Sequence, residues 1–208
     1  MIIEQKFDRK LLDRQDYDFV DFSGLMKSEI PVIVQVGSHD GLLGEEYGLH
    51  EYLESLKEFR LFLIEPIKRY FDSLQSVYGK YGDSVTYCPY AITDVDGQVS
   101  MLDQGCMSKI DRSGSLAVES KTWESFVHEN NILDIDLLLL DCEGFEFEIL
   151  KHVTSSNISR AFPGVIRYEY MWIQEKAECD RLLNAHGYRI DYCKFDPTYN
   201  KIAHSRSS

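Results

Sequence analysis

The stretch "VIVQVGSHDGLLGEEY", residues 32–47, predicts how this chain folds. Its first five residues are apolar except for Gln35, which is typical of a strand buried inside a sheet. Gly37 and Gly41 follow, and helical spacing begins a few residues later. Glycine accepts backbone conformations and close approaches that other residues resist. The stretch therefore predicts a strand, a tight turn and a helix, with the turn shaped for a nucleotide-like ligand.

Strands and helices alternate along the rest of the chain. The predicted strands lie near residues 60–65, 85–92, 135–141 and 164–170, with two more within residues 188–204 around a turn at Asp196-Pro197. The predicted helices lie near residues 45–57, 67–79, 120–130 and 174–186, with another after Gly144. Such alternation favours an open α/β sandwich, in which a mostly parallel sheet carries helices on both faces.

The N-terminal residues differ from this pattern. Ile3, Phe7 and Leu11 recur at four-residue steps, which is typical of an amphipathic helix. We therefore expect an N-terminal helical extension over residues 1–30 and one ligand-binding domain over residues 31–204.

Composition excludes several classes of function. A net charge of −13 argues against a nucleic-acid partner, which requires clustered Lys and Arg. The longest apolar run, "LLLL" at 137–140, is far too short to cross a bilayer, and the charged start lacks the apolar run of a signal peptide. The five cysteines are widely spaced and form no C-x-x-C pair, as expected of reduced thiols. We expect a cytoplasmic protein with no membrane partner.

Ligands of open parallel sheets bind beyond the carboxyl ends of the strands. The phosphate-binding motifs G-x-G-x-x-G and G-x-x-x-x-G-K-[ST] are absent, so the expected ligand has no phosphate to cradle. Glu65 ends the second strand, where a carboxylate of nucleotide-binding folds accepts hydrogen bonds from ribose hydroxyls. S-adenosylmethionine (SAM) has a ribose, no phosphate and a cationic centre, and it therefore suits an acidic site.

The run "DCEGFE", residues 141–146, predicts an acidic cluster. In an extended chain Asp141 and Glu143 share one face, and Glu169 ends the neighbouring strand. Carboxylates held together raise one pKa and can provide a general base. Their oxygens would equally suit a divalent cation, and the sequence does not decide between these roles. His39, in the glycine turn, is a further candidate base, whereas Glu146 is expected either at the site or as a charge that stabilises the helix N-terminus.

Several segments together resemble a known family. They are "VQVGSHDG", "LIEPIKRYFDSLQSVYG", "PYAITDVDG", "TWESF", "IDLLLLDCEGFEFEILK" and "IRYEY", which are similar in order and spacing to the motifs of FkbM-type SAM-dependent methyltransferases over roughly residues 32–170. The resemblance implies a Rossmann-like class I methyltransferase sandwich of about seven strands, with a C-terminal antiparallel strand. It also implies methyl transfer from SAM to an oxygen of a sugar or another small metabolite.

The resemblance also implies roles for individual residues. It assigns the methionine part of SAM to Gly37, Asp40 and Gly41, with Gln35 near the amino group, and it counts Ser38 among the cofactor-binding residues. It assigns the ribose to Glu65, the adenine to Ala91 and Ile92, and the sulfonium to Asp141. Two departures are Gln35, where many members have Asp, and Leu139, where a Lys is frequent. They leave open an inactive methyltransferase-like binding module. An NAD-linked oxidoreductase is a further alternative, against which the missing G-x-G-x-x-G counts.

The segment "DQGCMSKIDRSGS", residues 103–115, has the composition of a loop. We expect it to be a solvated loop. The alternative is a cover over the substrate, in which Lys109 and Arg112 would meet an anionic acceptor.

Overall fold

A computed structural model describes residues 28–42, 46–155, 162–192 and 200–205 of the chain. The predicted helix of the N-terminal extension lies outside these residues, apart from 28–30, which are not helical. The predicted turn at Asp196-Pro197 also lies outside them. Among the described residues, no helix combines the length and the apolar character that crossing a membrane requires.

The strands of the described residues form two sheets. In chain order they are β1 Val32–Val36, β2 Arg60–Ile64, β3 Val85–Cys88, β4 Ala91–Thr93, β5 Gly97–Leu102, β6 Lys109–Ile110, β7 Leu116–Thr122, β8 Leu137–Leu140, β9 Val165–Glu169, β10 Tyr188–Tyr192 and β11 Asn200–Ser205. The main sheet has seven strands in the order β10-β11-β9-β8-β1-β2-β3. All its pairings are parallel except the two that β11 makes. The predicted α/β class and the C-terminal antiparallel strand are confirmed.

In the described part of the chain, five α-helices pack around the main sheet. They are α1 Glu46–Ser55, α2 Lys68–Tyr78, α3 Trp123–Glu129, α4 Glu146–Ser155 and α5 Lys176–Ala185, with short 3-10 segments at Gly79–Ser84 and Gly105–Met107. The run of four leucines in β8 shows how the layers form. Leu137 and Leu139 pack with residues of α1 and α2 on one face, whereas Leu138 and Leu140 pack with residues of α3, α4 and α5 on the other. Because helices cover both faces of this strand, the residues that point to either face are apolar.

The second sheet was not predicted. Residues 85–92 were expected to form one strand, but the chain bends at Pro89 and Tyr90, so that β3 joins the main sheet and β4 joins the second. Proline lacks the N–H that a ladder needs, which is why pairing stops there. The second sheet has the order β4-β7-β5-β6, and its last three strands lie within residues 97–122, for most of which the sequence predicts no strand. Its apolar side packs around Met101 and Val118.

The carboxyl ends of β1, β2 and β8 lie side by side. Val36 is in register with Ile64 on one flank and with Leu140 on the other. The amide of Gly37 then donates to the carbonyl of Ile64, with an N–O distance of 3.0 Å. A Cβ on Gly37 would lie 1.8 Å from the carbonyl oxygen of Asp141. The backbone of the chain itself therefore requires glycine at this position.

We expect Gly37→Ala to destabilise the protein severely. Alanine would have to occupy a φ of +83° and overlap the Asp141 carbonyl, and we expect a loss above ~3 kcal/mol in the free energy of unfolding. Gly79→Ala is the matched control, because Gly79 has a φ of −56° and open space around its Cβ position. Chemical denaturation of both variants tests this. Equal stabilities would contradict the close approach.

Candidate functional site

A cavity of about 240 Å³ lies beyond the carboxyl ends of these strands. It is lined from the main sheet and its loops by Val36, Gly37, His39, Ile64, Glu65, Pro66, Ile67, Tyr70, Asp141, Cys142, Glu143 and Phe145. The second sheet and the segments next to it contribute Ala91, Ile92, Met101, Gly105, Cys106, Ser108, Lys109 and Ile110. A mostly apolar wall with a few ionisable groups is typical of a small-molecule site.

Glu65 is the buried acid on the β2 side of the cavity, where only 5% of the residue is exposed. One carboxylate oxygen accepts a hydrogen bond from the amide of His39 at 2.9 Å, and the other accepts from the amide of Ile67 at 2.7 Å. Burial raises the pKa of Glu65 to about 7, although both amides oppose the rise. A carboxylate offers about four acceptor positions, so this one can still receive ligand hydroxyls.

His39 lies in a left-handed backbone conformation with a φ of 45°, which is uncommon outside glycine. Its ring lies against the ring of Tyr70, with 3.7 Å between centroids, and its Nδ1 is 3.2 Å from Oδ1 of Asp40. The bond from its amide to Glu65 helps to hold this turn. His39, the predicted candidate base, lines the cavity. When its ring is protonated, it forms an ion pair with Asp40.

The loop after β8 forms the opposite wall. Glu143 also has a left-handed backbone, with a φ of 54°. Glu146 is completely buried, and its two carboxylate oxygens accept hydrogen bonds from the amides of Cys142 at 2.6 Å and Gly144 at 3.0 Å. Burial raises the pKa of Glu146 to about 7. Glu146 is thus more than a charge at a helix terminus, because it bonds the loop that precedes the helix. The sequence did not predict these bonds.

The predicted acidic cluster exists. Asp141, Glu143 and Glu169 each offer a carboxylate oxygen within 4.8 Å of the others. Burial raises the pKa of Glu143, and the nearby charge of Lys109 opposes that rise. The group has the geometry of a general base or of an oxygen site for a cation. Exposed acidic groups of this kind are common without an ion, so the geometry alone assigns no metal.

Residues 35–190 match the family model described as the methyltransferase FkbM domain. The chain belongs to the FkbM methyltransferase family. The resemblance seen in its motifs is therefore confirmed. No curated protein matches the chain closely enough to count as a relative.

Solved structures share the fold of this FkbM-family chain at low sequence identity. A methyltransferase FkbM from Methylobacillus flagellatus KT is similar with a TM-score of 0.56 and 15% identity, over 94% of this chain and 57% of that one. A precorrin-6y C5,15-methyltransferase from Geobacter metallireducens GS-15 is similar with a TM-score of 0.55 and 16% identity, over 99% of this chain and 97% of that one. TrmK of M. capricolum, solved with S-adenosyl-homocysteine, is similar with a TM-score of 0.50 and 13% identity, over 92% of this chain and 71% of that one. The chain thus spans little more than half of the first of these.

Seven of the predicted site residues of this FkbM-family chain line the cavity. They are Gly37, His39, Glu65, Ala91, Ile92, Asp141 and Glu143. Glu169 lies next to the cavity with Asp141 and Glu143. The cofactor roles of the residues in this set remain predictions.

Four other predicted cofactor residues support the turn from outside the cavity lining. Gln35 is a buried residue of β1, and the buried hydroxyl of Ser38 donates to its carbonyl at 3.2 Å. Asp40 accepts from the amide of Leu42 at 3.0 Å. A Cβ on Gly41 would lie 2.7 Å from the ring of Tyr78, so this glycine lets the turn pack against α2.

The segment over residues 103–115 is not simply a solvated loop. Five of its residues, from Gly105 to Ile110, line the cavity. Asp103 forms an ion pair with Arg69 of α2, whose guanidinium lies 4.4 Å from the centre of the Tyr70 ring. The pair ties this segment to the wall that carries His39. Lys109 faces the cavity, whereas Arg112 lines a neighbouring, more open space beside α4.

Proposed function

We propose that this chain binds SAM in the cavity and transfers its methyl group to a hydroxyl of a sugar or another small metabolite, which leaves S-adenosylhomocysteine (SAH) and a proton. The observation that carries the proposal is Glu65. It is a buried carboxylate at the end of β2, it lines the cavity, and it stands beside the Gly37 turn. Family membership supports methyl transfer, and the fold supports a SAM site.

The residues present suit the parts of SAM. Glu65 would accept hydrogen bonds from the ribose hydroxyls. Ile92 and Met101 offer apolar surface to an adenine ring, and Asp141 and Glu143 offer negative charge to a cationic centre. Bound SAM supplies a methyl group on a positively charged sulfur.

The chain itself has to align the acceptor and take its proton. Alignment alone can supply ~7–11 kcal/mol when the geometry is good, and a positioned base adds ~10²–10⁴-fold. Asp141, Glu143, Glu169 and His39 are the candidate bases. Three neighbouring carboxylates favour a neutral acceptor rich in hydroxyls over an anionic one, because they repel negative charge and accept hydrogen bonds. The proposal therefore assigns a carbohydrate-like acceptor and gives no part to nucleic acid.

The cellular location belongs to the same proposal. Cys88, Cys106 and Cys142 are free thiols in the described part of the chain. Free thiols agree with a reducing compartment such as the cytoplasm.

The role of Glu65 predicts that Glu65→Gln weakens SAH binding by more than ~1.4 kcal/mol, which is tenfold in affinity. Glutamine keeps the size of the side chain but loses the charge and one acceptor oxygen. In the wild type, affinity should rise as the pH rises through about 7, because hydroxyl donors favour the ionised form of Glu65. Calorimetric titrations with SAH at pH 6, 7 and 8 measure both effects.

The control for this titration is Glu58→Gln, the same change on an exposed residue, and NAD is the control ligand. The variant should bind SAH like the wild type, and neither protein should bind NAD. Equal affinity of Glu65→Gln and the wild type would reject the ribose assignment.

Methyl transfer itself is tested with Asp141→Asn. A panel of sugars incubated with SAM should yield SAH with at least one acceptor, and the variant should lower that turnover by at least ~10-fold because it removes a charge from the acidic cluster. Asp134→Asn, an exposed position before β8, should keep the wild-type rate. Full activity of Asp141→Asn would remove this residue from the site. SAH binding without turnover on any acceptor would favour the inactive binding module.

A further inference from the structure

We propose that Glu146 is a positioning residue, whose buried carboxylate fixes the loop Asp141–Phe145 and thereby one wall of the cofactor cavity. The loop contributes four of its five residues to the cavity lining, and Glu146 itself does not line the cavity. The effect on cofactor binding rests on the proposed function. The hold on the loop does not depend on it.

The carboxylate of Glu146 accepts hydrogen bonds from backbone amides on both sides of the turn. Oε1 accepts from the amide of Cys142 at 2.6 Å, and Oε2 accepts from the amide of Gly144 at 3.0 Å. These two amides flank Glu143, so the carboxylate bridges the residue whose side chain lines the cavity. Because Glu146 is 0% exposed, water cannot replace it as the acceptor.

The loop needs such a hold because its backbone is unusual. Glu143 has a φ of 54° and Gly144 has a φ of 103°. A left-handed non-glycine residue persists only where the surrounding structure determines it. Without the bridge, Glu143 would relax towards ordinary backbone angles, and its carboxylate would leave Asp141 and Glu169.

The chemistry of the bridge requires a carboxylate. Both bonded groups are donors, and an ionised carboxylate only accepts. Glutamine has the same size but would turn an NH₂ group towards one of the two amides. Glu146→Gln therefore removes one hydrogen bond and opposes two donors, with no change in packing volume.

The same arrangement occurs on the other wall of the cavity. Glu65 bridges the amides of His39, a left-handed residue with a φ of 45°, and Ile67. The described part of the chain contains three left-handed non-glycine residues, and two of them, His39 and Glu143, line the cavity. A buried glutamate accepts a hydrogen bond from the amide of His39, and another accepts from the amides on either side of Glu143. Strain concentrated in this way is typical of functional sites.

Glu148 offers a matched control on the same helix. It lies in the first turn of α4, forms an ion pair with Lys151 at 2.6 Å, and has 43% of its side chain exposed. Glu146→Gln and Glu148→Gln make the same chemical change in neighbouring places. The carboxylate of Glu146 bonds to the loop amides, whereas that of Glu148 bonds to Lys151.

The experiment measures amide hydrogen exchange of residues 141–145 and calorimetric SAH affinity in the wild type and both variants. Wild-type Cys142 and Gly144 amides should be protected. In Glu146→Gln, exchange of both should be at least tenfold faster and SAH binding at least tenfold weaker. Glu148→Gln should match the wild type in both readouts, and thermal unfolding verifies that each variant is folded.

Unprotected amides in the wild type would overturn the proposal even if Glu146→Gln failed to fold. Unchanged exchange in a folded Glu146→Gln would overturn it as well, and faster exchange with unchanged SAH affinity would overturn the link from loop to cavity. If the wild type bound no SAH, the proposed function would fail, while the exchange data would still decide whether Glu146 holds the loop.

Discussion

The contact between Gly37 and Asp141 is the constraint on which the site depends. The Asp141 carbonyl lies where a Cβ of residue 37 would otherwise be. The parallel register of β1 and β8 brings the two turns together, and the amide of Asp141 donates to the carbonyl of Val36 at 3.1 Å. Because the turns meet this closely, the loop after β1 and the loop after β8 enclose one cavity between them.

Two buried glutamates then give that cavity its shape. Burying a carboxylate costs free energy, and the raised pKa values of Glu65 and Glu146, both about 7, show that cost. Each acid offsets part of it by accepting two backbone amides from the cavity loops. These hydrogen bonds stabilise the strained turns beside the cavity. Glu65 differs in that it also lines the cavity.

Much of the main sheet could be predicted, because its signals are local. Val32–Val36 and Leu137–Leu140 are buried on both faces, so continuous apolar runs mark them. The second sheet gave no such signal: β6 has two residues, and β5 is half polar because only one of its faces meets a core. The position of Glu65 in the cavity lining could be predicted from its place at a strand end. The hydrogen bonds of Glu146 could not, since the sequence cannot show that a helix acid turns back to bond its own preceding loop.

Gly41 shows a further limit of sequence reasoning. A glycine after a strand suggests a ligand, but this one makes room for Tyr78 of α2. Gly37 has an internal reason as well, so neither glycine on its own indicates a cofactor. The proposed function therefore depends on side chains that line the cavity, and above all on Glu65.

A crystal structure of the protein with SAH tests the proposed function most directly. We expect SAH in the cavity between β1, β2 and β8, with its ribose hydroxyls donating to the carboxylate of Glu65. SAH bound elsewhere, or bound in the cavity with its ribose away from Glu65, would contradict it.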